Sequence, residues 1–489
     1  MSRVAAQPFP VAPSDRPRSI AVLTRPPRVI LWALFLGAHV PGALLMGRSS
    51  IVTTLHAFVV VAIGVAVALH GRRLERVAYV AAYITGAEVL WRMLGAQVFW
   101  EFGKYATSVI FLLAILRSRK WKAPVQVLLY FLLLLPSAVL TLGNEDLVSA
   151  KSQLSFALSG PFSLLVSVWF FHQIKLTTDQ IQRVFLSTIG PLLSIAAITY
   201  LFARIVFSDV RFGGGSNTAM SGGFAPNQVS GALGLGVLLG FLCLLRRGIG
   251  LQWQILLLGV MVVLAVQSAA TFSRGGLYFV GGAALVASFF LFRDAASRIR
   301  IIGLAIIVVL AGYFVLLPYL DSFTDGALSA RFQDVDLTDR DELVRVDFEI
   351  WFDNPVFGIG PGQANEHRAI YFEQKSSHTE FTRLLSEHGV FGALALLLLL
   401  ASAAQNILRR SRSMDGRALA ASLECWSFLF MAAYGMRLVA PSYIYGLAFA
   451  EFVDPRGASA SHGNKAPANR VKPNYNSRQV SSNARVRRR

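Results

Sequence analysis

With 489 residues, 54% of them hydrophobic, and a mean hydropathy of +0.54, the chain carries more apolar surface than a soluble core of this size needs, so it reads as a polytopic membrane protein. The formal charge of +19 does not point to nucleic acid, because the lysines and arginines sit in short clusters between apolar runs, as they do where cytoplasmic loops retain cations. The only cysteines, Cys243 and Cys425, fall inside predicted spans, which excludes a disulfide framework or a cysteine metal site.

Residues 1–28 place Arg3, Arg16, Arg18, Arg25 and Arg28 among prolines, with no small-residue cleavage site after a short apolar region. They are expected to form a basic cytoplasmic tail and not a signal peptide. A membrane span needs about twenty apolar residues. The expected spans begin near Val29, Ile51, Val77, Gln97, Ala123, Ser152, Val184, Gln228, Leu251, Gly275, Ile301, Gly389, Ala418 and Ser442, the last short enough to be re-entrant or interfacial. The predicted fold class is all-α, a polytopic bundle of about 12–14 transmembrane helices occupying residues 29–320 and 389–453.

Counting from a cytoplasmic N-terminus, the inner connections fall at 72–76, 117–122, 172–183, 246–247, 293–300 and 409–417, and each is basic. The outer connections, such as 143–146, are short or mixed in charge, so the positive-inside rule gives one orientation at every crossing. Residues 454–489 turn to Ala, Ser, Asn, Pro and Arg; they are expected to form a disordered, basic cytoplasmic tail against anionic lipid. No internal repeat, heptad array or phosphate-cradling glycine loop with Lys-Ser/Thr is present, so nucleotide use is unsupported.

The hydrophilic segment 321–388 then lies outside, in the periplasm of a cell with an outer membrane, and the chemistry is expected there because lipid cannot solvate it. Thr338 or Asp339 is suited to cap a helix running to about Phe352, with Leu343, Val346 and Ile350, and Val344, Phe348 and Trp351, repeating at helical spacing. Asn354-Pro355 stops it, and Gly358-Ile359-Gly360-Pro361-Gly362 makes a tight turn. A short helix is expected over about 363–374. A third, starting near Thr379, is expected to run unbroken into the span at Gly389, which would plant His378 at a helix N-terminus at the mouth of the bundle.

About half of the carboxylates lie in this loop, against six cations, Arg331, Arg340, Arg345, Arg368, Lys375 and Arg383. Such a loop repels an anionic lipid unless arginines are focused into a pocket. Arg274, in Thr271-Phe272-Ser273-Arg274-Gly275-Gly276, stands at an outer junction whose glycines permit close approach. Arg211 opens another outer loop that reaches Gly222-Gly223. A guanidinium stays charged and grips phosphate oxygens as a fork, so two or three of them neutralise a diphosphate without a divalent metal; each is otherwise a helix-end or snorkelling residue. His378 is the candidate general base, since an imidazole suits proton removal from a sugar hydroxyl. His367 and His388 serve as internal controls. Glu380 and Glu387 compete as bases, although Glu387 can instead stabilise its helix. Glu88 with Arg92 and Glu101 with Lys104, spaced four and three apart about Gly95, either form a salt-bridged outer hairpin or, with Arg204 and Arg437, line a headgroup path.

His378, followed at the spacing of the motif by Gly389 and Gly392, resembles the loop motif of the O-antigen ligases, in which the residue after His is usually Asn, Ser or Gln and is here Thr379. Asp339-Arg340, the amphipathic helix, and Asn354-Pro355-Val356-Phe357-Gly358-Ile359-Gly360 are similar to another stretch of the same superfamily, which includes O-antigen and exopolysaccharide polymerases. Thr271 to Gly275 resembles its other signature, and Arg211 with Gly222 reproduces a spacing discussed for the polymerases. The resemblance covers about 228–400. It implies a GT-C-like membrane glycosyltransferase of the bacterial inner membrane, acting at the periplasmic face on a glycan carried by undecaprenyl diphosphate, with no cofactor. Arg274 and Arg340, with Arg211, would bind the diphosphate. His378 would activate the acceptor for a single inverting, metal-independent displacement, and Gly275, Pro355, Gly358, Gly360, Glu387, Gly389 and Gly392 would be motif or structural positions. The acceptor, lipid A-core, another lipid-linked repeat or a protein Ser/Thr, stays open. A transporter is the rival reading, disfavoured by the lack of paired halves with interrupted helices; a docking platform is a third.

Overall fold

The computed structural model describes residues 28–71, 73–119, 122–206, 215–246, 248–324, 326–333, 340–369, 379–410 and 413–453. His378, Arg211, the N-terminal tail apart from Arg28, and the whole of 454–489 lie outside the described residues.

In chain order the first half contains α1 (Arg28–Met46), α2 (Ser50–His70), α3 (Glu75–Met93), α4 (Phe102–Ser118), α5 (Val125–Leu133), α6 (Ala138–Asn144) and α7 (Leu147–Phe171). A short strand, β1 (Lys175–Thr177), leads into α8 (Thr178–Val206). Then follow α9 (Pro226–Leu244), α10 (Leu251–Ala270), α11 (Gly275–Leu291) and α12 (Ala295–Ala311). The hydrophilic segment folds as α13 (Leu317–Thr324), α14 (Ala327–Gln333), α15 (Arg340–Asp353) and α16 (Ala364–Arg368). The chain returns through α17 (Glu380–Gln405), α18 (Met414–Tyr434), α19 (Val439–Ala448) and β2 (Glu451–Val453).

Among the described residues nine helices are long and apolar enough to cross a membrane: α1, α2, the α5–α6 pair, α7, α8, α9, α10, α12 and α17. Helix α11 is apolar but shorter. Helices α3, α4 and α18 carry buried Glu88, Lys104 and Glu424, and such charges survive in a bundle only where protein, not lipid, surrounds them. The expected span starts fall in or next to these helices, except that α4 begins at Phe102, not Gln97; Gly95, with φ +67°, and the turn after it delay the helix.

Helix starts follow from local donors and acceptors. Ser49 caps α2 by accepting from Ile51 N–H at 3.2 Å, and Asp146 caps α7 by accepting from Val148 and Ser149 N–H at 2.9 and 3.2 Å, satisfying groups that no earlier turn can reach. Pro41, Pro161 and Pro191 lie inside α1, α7 and α8, tolerable in a bundle where neighbours re-satisfy the freed carbonyls. The centre is aromatic: Phe111 stacks on Phe170 with ring centroids 4.1 Å apart, and Tyr443 on fully buried α19 joins them and donates to Ala78 O at 2.9 Å. The sequence pattern gave no hint of the β1–β2 pair, two parallel three-residue strands joined also by Lys175–Glu451 at 2.9 Å. They close the end of the bundle opposite α13–α16.

A candidate active site at the loop end of the bundle

Helix α17 does not run unbroken into the membrane. Thr379 caps it, accepting from Phe381 N–H at 3.3 Å, but at Gly389 the backbone takes φ 59°, ψ −136°, a conformation open essentially to glycine alone. The turn after Asn354-Pro355 docks into this break. Val390 N–H donates to Pro355 O at 2.8 Å, and Ile359 and Gly360 N–H donate to Ser386 and Glu387 O, each at 3.1 Å. A Cβ on Gly389 would meet Val356 O at 2.5 Å, one on Gly358 would meet His388 N at 2.5 Å, one on Gly360 would meet Thr141 Oγ1 at 2.8 Å, and one on Gly392 would overlap the Leu384 carbonyl. Pro355, Gly358, Gly360, Gly389 and Gly392 are therefore one mechanical unit, which bends the helix so that its first nine residues lie apart from its membrane half.

The charged groups on that first part are paired. Arg383 holds both Glu380 and Glu387, the latter at 2.5 Å, and donates to Ala157 O at 3.2 Å. Neither carboxylate is a free base. A second buried pair, Asp347 of α15 with Arg368 of α16, also takes the Thr382 hydroxyl, so the loop helices are tied to α17. Leu343, Val346 and Ile350 are buried as their spacing predicts, while Phe348, Trp351 and Phe352 form a ring cluster in which Phe352 is exposed. The two control histidines are accounted for: His388 is buried against Ser137 Oγ, and His367 is exposed beside Gln363 O.

Arg274 is the residue just before α11, half-buried. Its neighbour Ser273 donates to Asn227 Oδ1 at 2.9 Å, pairs with Tyr434 Oη at 3.0 Å, and its carbonyl accepts from Ser230 Oγ at 2.8 Å. Phe272 is buried with φ 59°, an outlier that marks how tightly this junction is determined. Gly275 packs on the Tyr434 hydroxyl and Gly276 on the Ser230 carbonyl, where any side chain would overlap. From Tyr434 the chain passes through Gly435 (φ 63°) to Met436, whose N–H donates to Glu380 Oε2 at 3.3 Å. The Arg437 carbonyl accepts from Arg92 at 3.1 Å, and Val439 N–H donates to Glu88 Oε2 at 2.7 Å. The residue before Arg274 and the residue two beyond His378 are thus joined by a bridge from Tyr434 to Met436.

Of the expected site residues, Arg274, Gly275, Pro355, Gly358, Gly360, Glu387, Gly389 and Gly392 are found at this end. Arg340 opens α15, with only its backbone described; His378 and Arg211 are outside the described residues. The Glu88–Arg92 pair forms at 2.7 Å, with the Arg92 guanidinium 4.2 Å above the Trp100 ring. The Glu101–Lys104 pair does not, because Lys104 turns inward to Ser159 Oγ at 3.1 Å. Arg204 is exposed at the end of α8, the snorkelling position. Tyr434 and Met436 escaped sequence reasoning, since nothing in an apolar span marks the one hydroxyl or amide that meets a distant loop.

Residues 259–397 match a family model described as O-antigen ligase. That interval holds the Arg274 junction, α15, the docked turn and the bend at Gly389. No curated protein matches the chain.

Proposed function

We propose that the chain transfers a glycan from undecaprenyl diphosphate to a sugar hydroxyl at the periplasmic face of the inner membrane, a reading supported by the match of residues 259–397 to a family model described as O-antigen ligase. Arg274, with Arg340 and Arg211, neutralises the diphosphate as it leaves. His378 takes the acceptor hydroxyl proton while that oxygen attacks the anomeric carbon; the bond from carbon to phosphate oxygen breaks on the opposite side, inverting the centre. The arginines supply the charge stabilisation that a divalent ion supplies elsewhere, so no metal is required. The observation that supports this best is the Ser273–Tyr434 and Met436–Glu380 bridge, which keeps the arginine junction next to the helix that follows His378.

Reconstitution of the purified protein with lipid-linked oligosaccharide, and with lipid A-core, a second lipid-linked repeat or a peptide as acceptor, tests the reaction. His378→Ala and Arg274→Ala are each expected to abolish transfer while the protein stays folded; wild-type transfer by both ends the proposal. In a deletion strain, loss of all capped core identifies a ligase, and capping by single repeats identifies a polymerase.

A further inference from the structure

Lys104 stands in the first turn of α4 with 1% of its surface exposed, and among the described residues its ammonium donates one hydrogen bond, to Ser159 Oγ. An ammonium has three protons to place, and enclosing it without an anion is strongly unfavourable. Three carboxylates act on it electrostatically: Glu88, Glu101 and Glu380. Glu88 is committed to Arg92 and the Val439 N–H, and Glu380 to Arg383 and the Met436 N–H. Among the described residues none of the three comes within ion-pair distance of Lys104 Nζ. The lysine nevertheless lines a cavity of about 30 Å³, room for one water-sized group, together with Asn365, Thr379, Arg437 and Arg383, the last paired with the lining carboxylates Glu380 and Glu387. Thr379 directly follows His378. Arg92 holds the carbonyl of Arg437 in place.

We propose that Lys104 is the floor of an anion seat, bordered by Arg437, which receives a phosphoryl oxygen of a diphosphate in addition to the contacts proposed for Arg274. That the diphosphate is lipid-linked rests on the glycosyltransferase reading. The two unused protons of the ammonium are then satisfied by the ligand, in charge-assisted hydrogen bonds. The lysine is a liability to the empty protein and an asset to the loaded one.

Lys104→Met in the full-length protein separates this role from a structural one. Replacing an incompletely paired buried charge by an apolar side chain of similar volume is expected to leave the thermal midpoint unchanged or raised, and to weaken diphosphate binding at least ~10-fold, equivalent to about 1.4 kcal/mol. Binding is read as ligand-induced thermal stabilisation with farnesyl diphosphate in one arm and inorganic diphosphate in the other. Stabilisation of wild type that Lys104→Met loses supports the seat, and the arm with the larger response names the ligand source. Equal responses of both proteins, no response of the wild type to either probe, or a midpoint that falls with the substitution, overturns it. Because this readout needs no turnover, it stands apart from the transfer assay. Normal transfer and donor KM in Lys104→Met would sink the seat and leave the glycosyltransferase reading intact, whereas a wild type that binds diphosphate through Lys104 yet transfers nothing would do the reverse.

Discussion

Gly389→Ala tests the bend in α17 directly. Alanine at φ 59°, ψ −136° carries backbone strain of about 1–3 kcal/mol. Its Cβ also meets Val356 O and C and Gly358 N at 2.5–2.7 Å, all backbone atoms that cannot rotate away, so the docked turn must lift. Lifting breaks three hydrogen bonds, Val390 to Pro355, Ile359 to Ser386 and Gly360 to Glu387, each worth about 0.5–1.5 kcal/mol net. The sum, roughly 2.5–7.5 kcal/mol, is a large share of the stability of an ordinary domain. The thermal midpoint of the detergent-purified protein should fall by several degrees or more, the 354–362 turn should become sensitive to protease, and glycan transfer should be lost. Gly259→Ala is the matched control: its Cβ meets nothing within 4 Å on an exposed face of α10, and helix propensity favours alanine by about 1 kcal/mol. If Gly389→Ala melts and transfers like the wild type, the bend is not a structural requirement and the mechanical unit built on the five motif positions is wrong.

Asp347→Ala strands Arg368, which is 0% exposed, and frees the Thr382 hydroxyl, so it should cost about 3–5 kcal/mol; Asp347→Leu with Arg368→Met should recover most of the thermal midpoint, and a double-mutant cycle reads the coupling. Arg345→Ala removes an ion pair on an exposed face of α15 with Glu342 and Glu349 and should stay within about 0.5 kcal/mol of wild type in the same melt. His388→Ala removes the hydrogen bond between His388 and Ser137, whose hydroxyl still donates to Leu134 O at 3.2 Å, and should lower stability by about 0.5–1.5 kcal/mol, with transfer per folded molecule unchanged, the opposite outcome to His378→Ala. Treatment with a strong chelator should leave the transfer rate as it was, and a rate restored only by added divalent ion would refute charge stabilisation by arginine alone.

The spans were legible because a bilayer imposes length and apolarity on every crossing helix, and the helix over 340–353 because Leu343, Val346 and Ile350 recur at the period of one buried face. The same reasoning failed at Gly389. Residues 379–405 carry a helical pattern on both sides of that glycine, and periodicity cannot register a single residue whose dihedrals reverse. The clue was the turn at 354–362: its two prolines and three positive-φ glycines shape a backbone to fit something, but the partner lies some thirty residues on and leaves no mark in local composition. Lys104 was paired with Glu101 on spacing alone. Spacing fixes which face a side chain shares, and not whether a buried serine on another helix competes for it.

The bend explains how so many charges reach one place. A straight helix rises 1.5 Å per residue, so an unbroken α17 would carry the segment from Glu380 to His388 about 13 Å beyond the membrane half, into water. There Arg383 and its two carboxylates would be a weakly coupled surface cluster. Folding that segment over at Gly389 sets it instead on the bundle end, where Arg383 reaches Ala157 O, Glu380 reaches Met436 N–H, and both carboxylates are nearly covered. Low dielectric strengthens every such contact and makes each unmet one costly, so the segment has one well-determined position. Glycine at 389 and the turn that docks on it turn a helix that would have left the membrane into a wall of the site. The positions of Glu380, Arg383 and Glu387 against the bundle are in this sense set by glycines that carry no side chain of their own.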